Sequence, residues 1–72
     1  DNFYNKMRIT DKEIEVIHVI LEGSTIEEAA KRLNLAEGTI RKHLNNIYNK
    51  LSVTNRVELQ RKAQNLGIWS EF

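Results

Sequence analysis

Between Ala36 and Leu51 the chain reads AEGTIRKHLNNIYNKL, a stretch that can be only one kind of helix. Ile40, Leu44, Ile47 and Leu51 recur at spacings of four, three and four, so at about 100° per residue they fall in one narrow sector. Gly38, Lys42, Asn45 and Asn49 lie directly opposite. Arg41 and Tyr48 flank the apolar sector on one side; Thr39, His43, Asn46 and Lys50 flank it on the other. One face is aliphatic and must be covered by other parts of the chain. The outer face carries cations, amides and a glycine, with no acid after Glu37. Such a face suits contact with a polyanion.

The rest of the chain has little besides helices to cover that sector with. Its 72 residues contain no Cys and no Pro, and only Gly23, Gly38 and Gly67 as glycines. Disulfides and Cys-based metal sites are therefore excluded. No alternating β-branched run predicts a strand. A chain of this length buries only about 60% of the surface it exposes unfolded, so each cap and each packed side chain counts. No stretch approaches the roughly 20 apolar residues of a membrane span, and the N-terminal DNFYNKMR lacks the apolar core of a secretory signal. The default expectation is a cytoplasmic location without membrane attachment.

Charge is unevenly spread. Residues 1–30 carry seven acids and three bases, and residues 31–72 three acids and eight bases. The net charge of +1 thus hides a basic second half. That half fits a nucleic-acid partner; a dipolar solvated surface is the alternative.

Residues 1–7 show no period and read as a tail or linker, with Phe3 and Tyr4 able to dock on the domain that follows over residues 8–72. A first helix begins at Thr10, an N-cap whose capping-box partner is Glu13, with Ile9 and Ile14 placed as a hydrophobic staple. Ile14, Ile17 and Leu21, flanked by Val16 and Ile20, give it a broad apolar stripe that ends near Glu22, before Gly23. Thr25 and Glu28 repeat the box for a second helix, in which Ala29, Ala30 and Leu33 face inward. Lys31 and Arg32 complement the dipole at its end, and Asn34 suits a left-handed turn. The stretch from Ala36 is the third helix. Ser52, Val53 and Thr54 break the chain before a fourth, capped by Asn55, with Leu59, Ala63 and Leu66 inward and Val57, Gln60, Arg61 and Gln64 on the other face. Gly67 ends it, and Ile68 and Trp69 fold back. The second and third helices have the spacing of a helix-turn-helix, in which the second helix of the pair enters the major groove.

At that level of detail the chain resembles the LuxR-type (GerE-like) DNA-binding domain over nearly all of residues 9–68. Thr10 and Glu13 to Val16 match the opening of that family's first helix. Thr39, His43, Leu44, Asn46, Ile47, Tyr48, Lys50 and Leu51 match its third-helix signature, and Val53, Asn55, Arg56 and Glu58 the approach to its fourth. The resemblance implies an all-α, four-helix domain with the third helix as recognition helix. It implies sequence-specific binding of double-stranded DNA as the output domain of a transcription regulator, as a homodimer on DNA. It also implies an upstream receiver or ligand-sensing domain, with RNA polymerase a further partner.

Positions matching Arg41, Lys42 and Asn45 contact bases in that family. Those matching Thr39, His43, Asn46 and Lys50 touch or position the phosphate backbone. Val57, Gln60, Arg61 and Gln64 then form the dimer face. Asn49 lies too far along the helix to reach the groove floor readily. Gly38 either loosens the first turn or lets the backbone approach DNA. Arg56 either holds a phosphate or pairs with an acid such as Glu58. The chain departs from the family where Ala36 replaces a Ser or Thr cap, Ala29 a larger aliphatic, Ser52 a Gly and Gln60 an aliphatic.

Two other readings compete: a helix-turn-helix used as a protein-interaction module, and a domain like region four of a sigma factor. The polar outer face of the third helix opposes the first, and the approach VTNRVEL to the fourth helix opposes the second. His43 and His18 have no metal-ligand spacing, and no paired carboxylates, Ser/His/Asp set or Gly-rich phosphate loop is present. The expectation is a non-enzymatic domain with no metal and no cofactor.

Overall fold

A computed structural model describes residues 8–69, and within them the backbone forms four helices and no strand. They are α1 (Asp11–Leu21), α2 (Ile26–Leu33), α3 (Glu37–Leu51) and α4 (Arg56–Asn65). The expected docking of Phe3 and Tyr4 lies outside the described residues. No described helix is long and apolar enough to cross a membrane.

Three of the four helix starts are satisfied by a side chain. Thr10 Oγ1 accepts from the Glu13 amide at 3.1 Å while the Glu13 carboxylate accepts from the Thr10 amide at 3.0 Å. Thr25 and Glu28 make the same reciprocal pair at 3.1 and 2.9 Å. Asn55 Oδ1 accepts from the Glu58 amide at 2.9 Å. The Glu58 carboxylate does not close the box on Asn55. It takes the amide and hydroxyl of Thr54 instead, at 2.8 and 3.0 Å. These bonds hold the Glu58 carboxyl below its ordinary range, Thr54's amide first. Ala36 starts α3 with no side-chain cap.

All four helices stop by one device. The amide just past the closing turn reaches back five residues: Ser24 to Val19, Leu35 to Ala30, Val53 to Tyr48 and Ile68 to Ala63, at 3.4, 2.9, 3.0 and 2.9 Å. That is the long bond of a Schellman closure, which needs a left-handed residue just before it. Gly23 (φ 103), Asn34 (φ 59), Ser52 (φ 57) and Gly67 (φ 78) supply it. Asn tolerates this region and Gly has no Cβ to strain, whereas Ser52 carries a side chain where one is disfavoured. The residues after three of these turns, Leu35, Val53 and Ile68, turn inward onto the core.

The core lies where α1, α2 and α3 meet, with α4 packed on α3. Val16, Ile17, Ile20, Ala29, Ile40, Ile47, Leu51, Leu59 and Ala63 are fully enclosed. The stripe of α1 is displaced from its expected centre. Val16, Ile17, Val19 and Ile20 are buried, while Ile14 and Leu21 sit at its margin. Two helices cover α1, so its buried arc is wider than one period-matched row predicts. Ala29 has no exposed surface at all.

Candidate nucleic-acid interface

Helix α3 is anchored by Ile40, Ile47 and Leu51, all buried, and by Leu44, which is half-covered. This places the rest of its surface outward. Gly38, Thr39, Arg41, Lys42, Asn45, Asn46 and Asn49 are exposed, and His43, Tyr48 and Lys50 are half-buried. A Cβ at Gly38 would meet nothing within 4 Å, so no neighbour within the fold demands a glycine there. Ala36 leaves the early amides of α3 without a side-chain partner, at the end where the helix dipole favours an anion.

The seven side chains expected to face DNA occupy different electrostatic settings. Lys42 has no ion-pair partner among the described residues. Arg41 Nη2 stands 3.5 Å from Glu37 Oε1 one turn earlier, with both side chains about half exposed, so the guanidinium is only loosely held. Thr39, Asn45 and Asn46 project into open space along the helix.

Lys50 is different. Its ammonium lies 2.8 and 3.0 Å from the two carboxylate oxygens of Glu13 and donates to the Arg8 carbonyl at 2.7 Å. The Glu13 side chain is 4% exposed and that of Lys50 29%. Burial pushes the Glu13 carboxyl up. The Lys50 hydrogen bond, the Thr10 amide and the charges of Lys50 and His43 outweigh it and leave the carboxyl below its ordinary range. The Glu13–Lys50 pair was not legible in the sequence. The capping box accounts for Glu13 completely, and nothing in the spacing says that Lys50 comes round to it.

The remaining cations are sorted by the fold as well. Arg32 pairs with Glu22 at 2.8 Å and donates to Ser24 Oγ at 3.2 Å, joining α2 to the turn after α1. Lys31 stands 3.6 Å from Glu27 on an exposed face. Arg56 donates to the Ser24 carbonyl at 3.4 Å, and its suggested partner Glu58 is engaged with Thr54. Arg56 therefore ties the start of α4 to the α1–α2 turn. On α4, Val57 is 61% exposed, the only large hydrophobic side chain so open among the described residues, with Arg61 and Gln64 exposed and Gln60 half-buried. His18 packs edge-on against Trp69, ring centres 5.6 Å apart. No group of three or more potential metal ligands occurs among the described residues. The arrangement has a polar, acid-poor helix face on a fixed scaffold.

A family model described as "Bacterial regulatory proteins, luxR family" matches residues 2–63. The transcriptional regulatory protein DesR of Bacillus subtilis is 34% identical over 59 residues, 82% of this chain and 30% of DesR. The HTH-type transcriptional regulator AlkS of Alcanivorax borkumensis is 38% identical over 60 residues, covering 83% of this chain and 7% of AlkS. The HTH-type transcriptional regulator MalT of Vibrio campbellii is 38% identical over 58 residues, covering 81% and 6%. The chain thus spans less than a third of the length of these relatives. No solved structure matches it significantly.

Proposed function

Because this chain belongs to the LuxR family of bacterial regulatory proteins, we propose that it binds double-stranded DNA in a sequence-specific manner, as the output domain of a transcription regulator. One observation carries the reading: the second helix of the helix-turn-helix presents an exposed face of cations and amides on an apolar anchor. In the major groove Arg41 can fork to guanine O6 and N7, and Asn45 can pair with adenine. Lys42, pointing straight outward, spans bases or phosphates. Thr39, His43 and Asn46 lie along the flank that meets the phosphate backbone. The uncapped amides after Ala36 add donors that a phosphate can satisfy.

Val57, Gln60, Arg61 and Gln64 supply a small two-fold contact, too polar to hold a dimer by itself and sufficient to pair two copies on adjacent half-sites. The family is of a DNA-binding rather than an enzymatic kind. In the parent protein a receiver or ligand-sensing domain precedes this one, RNA polymerase is a further partner, and the cytoplasm is the site of action. A protein-interaction role is disfavoured, because the outer face of α3 is polar.

The test is an anisotropy titration with a duplex enriched by the chain from a randomised pool. Binding should weaken with salt at a slope of about −0.9 per phosphate neutralised. Arg41→Ala should lower the preference for the enriched duplex, and Thr39→Ala should weaken all duplexes alike. Salt-insensitive binding, or equal behaviour of both variants and wild type, would refute the assignment.

A further inference from the structure

We propose that Lys50 serves DNA reading as a positioning residue, locking the last turn of α3 to the start of α1 through Glu13, rather than by touching phosphate. This rests on the reading of α3 as the DNA-contacting helix. The geometry leaves an ammonium three donors, and three bonds take them up: Glu13 Oε1, Glu13 Oε2 and the Arg8 carbonyl. The carboxylate is almost fully enclosed and also closes the α1 capping box through the Thr10 amide. Lys50 cannot swing to a phosphate without leaving a buried carboxylate uncompensated, the more unfavourable arrangement of the two.

The same bonds fix both the azimuth of α3 about its axis and its position along α1. The apolar anchors alone are smooth aliphatic side chains, which tolerate small rotations and slides. A directional, charge-assisted lock removes that freedom, and base-edge contacts from Arg41 and Asn45 depend on it more than phosphate contacts do. Lys50 therefore contributes chiefly to the ratio of specific to non-specific binding.

The experiment uses the 72-residue chain, its enriched duplex and a scrambled duplex of the same length. Titrations across a salt series are run on wild type, Lys50→Met, Glu13→Gln, the double variant, Lys50→Arg and Glu13→Asp, all confirmed folded by circular dichroism. Lys50→Met and Glu13→Gln should each lower the specific-to-scrambled ratio about tenfold, the equivalent of one lost bidentate base contact. The double variant should fall no further than the worse single one, because both remove a single interaction. The salt slope should stay at the wild-type value, and Lys50→Arg should restore most of the ratio.

A slope for Lys50→Met shallower by about 0.9, with the ratio retained, would make Lys50 a phosphate contact and overturn the proposal. An unchanged ratio in both variants would also overturn it, leaving a lock that matters only to stability. Should Lys50→Met and Glu13→Gln fail to fold, Glu13→Asp retracts the carboxylate by one methylene. It must then lower the ratio, and an unaltered ratio there refutes the idea. If wild type enriches no sequence at all, the proposed function falls first and this assignment with it.

Discussion

The Lys50 ammonium sits within 3.0 Å of both carboxylate oxygens of Glu13, a residue 37 positions earlier in the chain. It is the only ion pair among the described residues that joins α3 to α1, and Glu13 is nearly enclosed. Lys12 and Glu15 also pair, at 3.1 Å, but with side chains 45% and 52% exposed. The two pairs should therefore respond very differently to removal. Glu13→Gln should reduce stability by about 1.5–3 kcal/mol, the range for a hydrogen bond to a charged group. Glu15→Gln should change it by less than about 0.5 kcal/mol. Urea unfolding of the two variants beside wild type measures both.

Acid should release the same lock. The Glu13 carboxyl is depressed in the folded chain, so its contribution is fully present above the ordinary carboxylate range. It disappears as pH falls through the folded value. Unfolding midpoints followed from neutral pH to about pH 3 should decline, and Lys50→Met should decline less steeply than wild type. The slope left in that variant belongs partly to Glu58, which Thr54 holds low in the same direction.

Ala36 is the weak start among four helices. Ala36→Ser should raise stability by up to about 1 kcal/mol, read as a higher melting temperature. In the unaltered chain, amide exchange at Glu37 to Thr39 should be fast without DNA and slow in the complex. Equal protection in both states would show that the first turn is already ordered.

Ser52 holds φ 57 with a side chain attached. Ser52→Gly keeps the Schellman closure of α3 and removes the Cβ clash, so it should stabilise the chain by roughly 0.5–1 kcal/mol in denaturant unfolding. Ser52→Val should do the reverse, because a β-branched residue is a poorer fit to that backbone region.

Glu37 places a carboxylate beside the expected readers and 3.5 Å from Arg41. Glu37→Gln should free the guanidinium and remove repulsion toward phosphate, tightening binding to scrambled duplex more than to the enriched one. The effect should shrink as salt rises, because an exposed pair is screened. Anisotropy at two salt concentrations tests it.

The helices were legible because their signals are local. The Thr10 and Thr25 boxes, Asn55, and the turns at Gly23, Asn34 and Gly67 all lie within a few residues of what they govern. The aliphatic rows of α3 and α4 were read from period alone. The misplaced centre of the α1 stripe has another origin: how much of a helix is buried depends on how many neighbours cover it. The tie from Arg56 to Ser24 and the lock from Lys50 to Glu13 were illegible for the same reason. Each joins segments more than thirty residues apart. Period located the outer face of α3 and the family resemblance implied DNA for it, yet neither could say which cation on that helix is held by the fold.

The bond from Lys50 to the Arg8 carbonyl also fixes where the polypeptide arrives. Arg8 turns with φ 60 at the last turn of α3, whereas Gly38, Arg41 and Lys42 occupy its first two turns. Lys50 follows Arg41 by nine residues, about 14 Å along the axis. The Arg8 backbone is thus set back from the tip that would enter a groove. Entry of the tip therefore asks nothing of the backbone at Arg8, which can stay on its bond to Lys50.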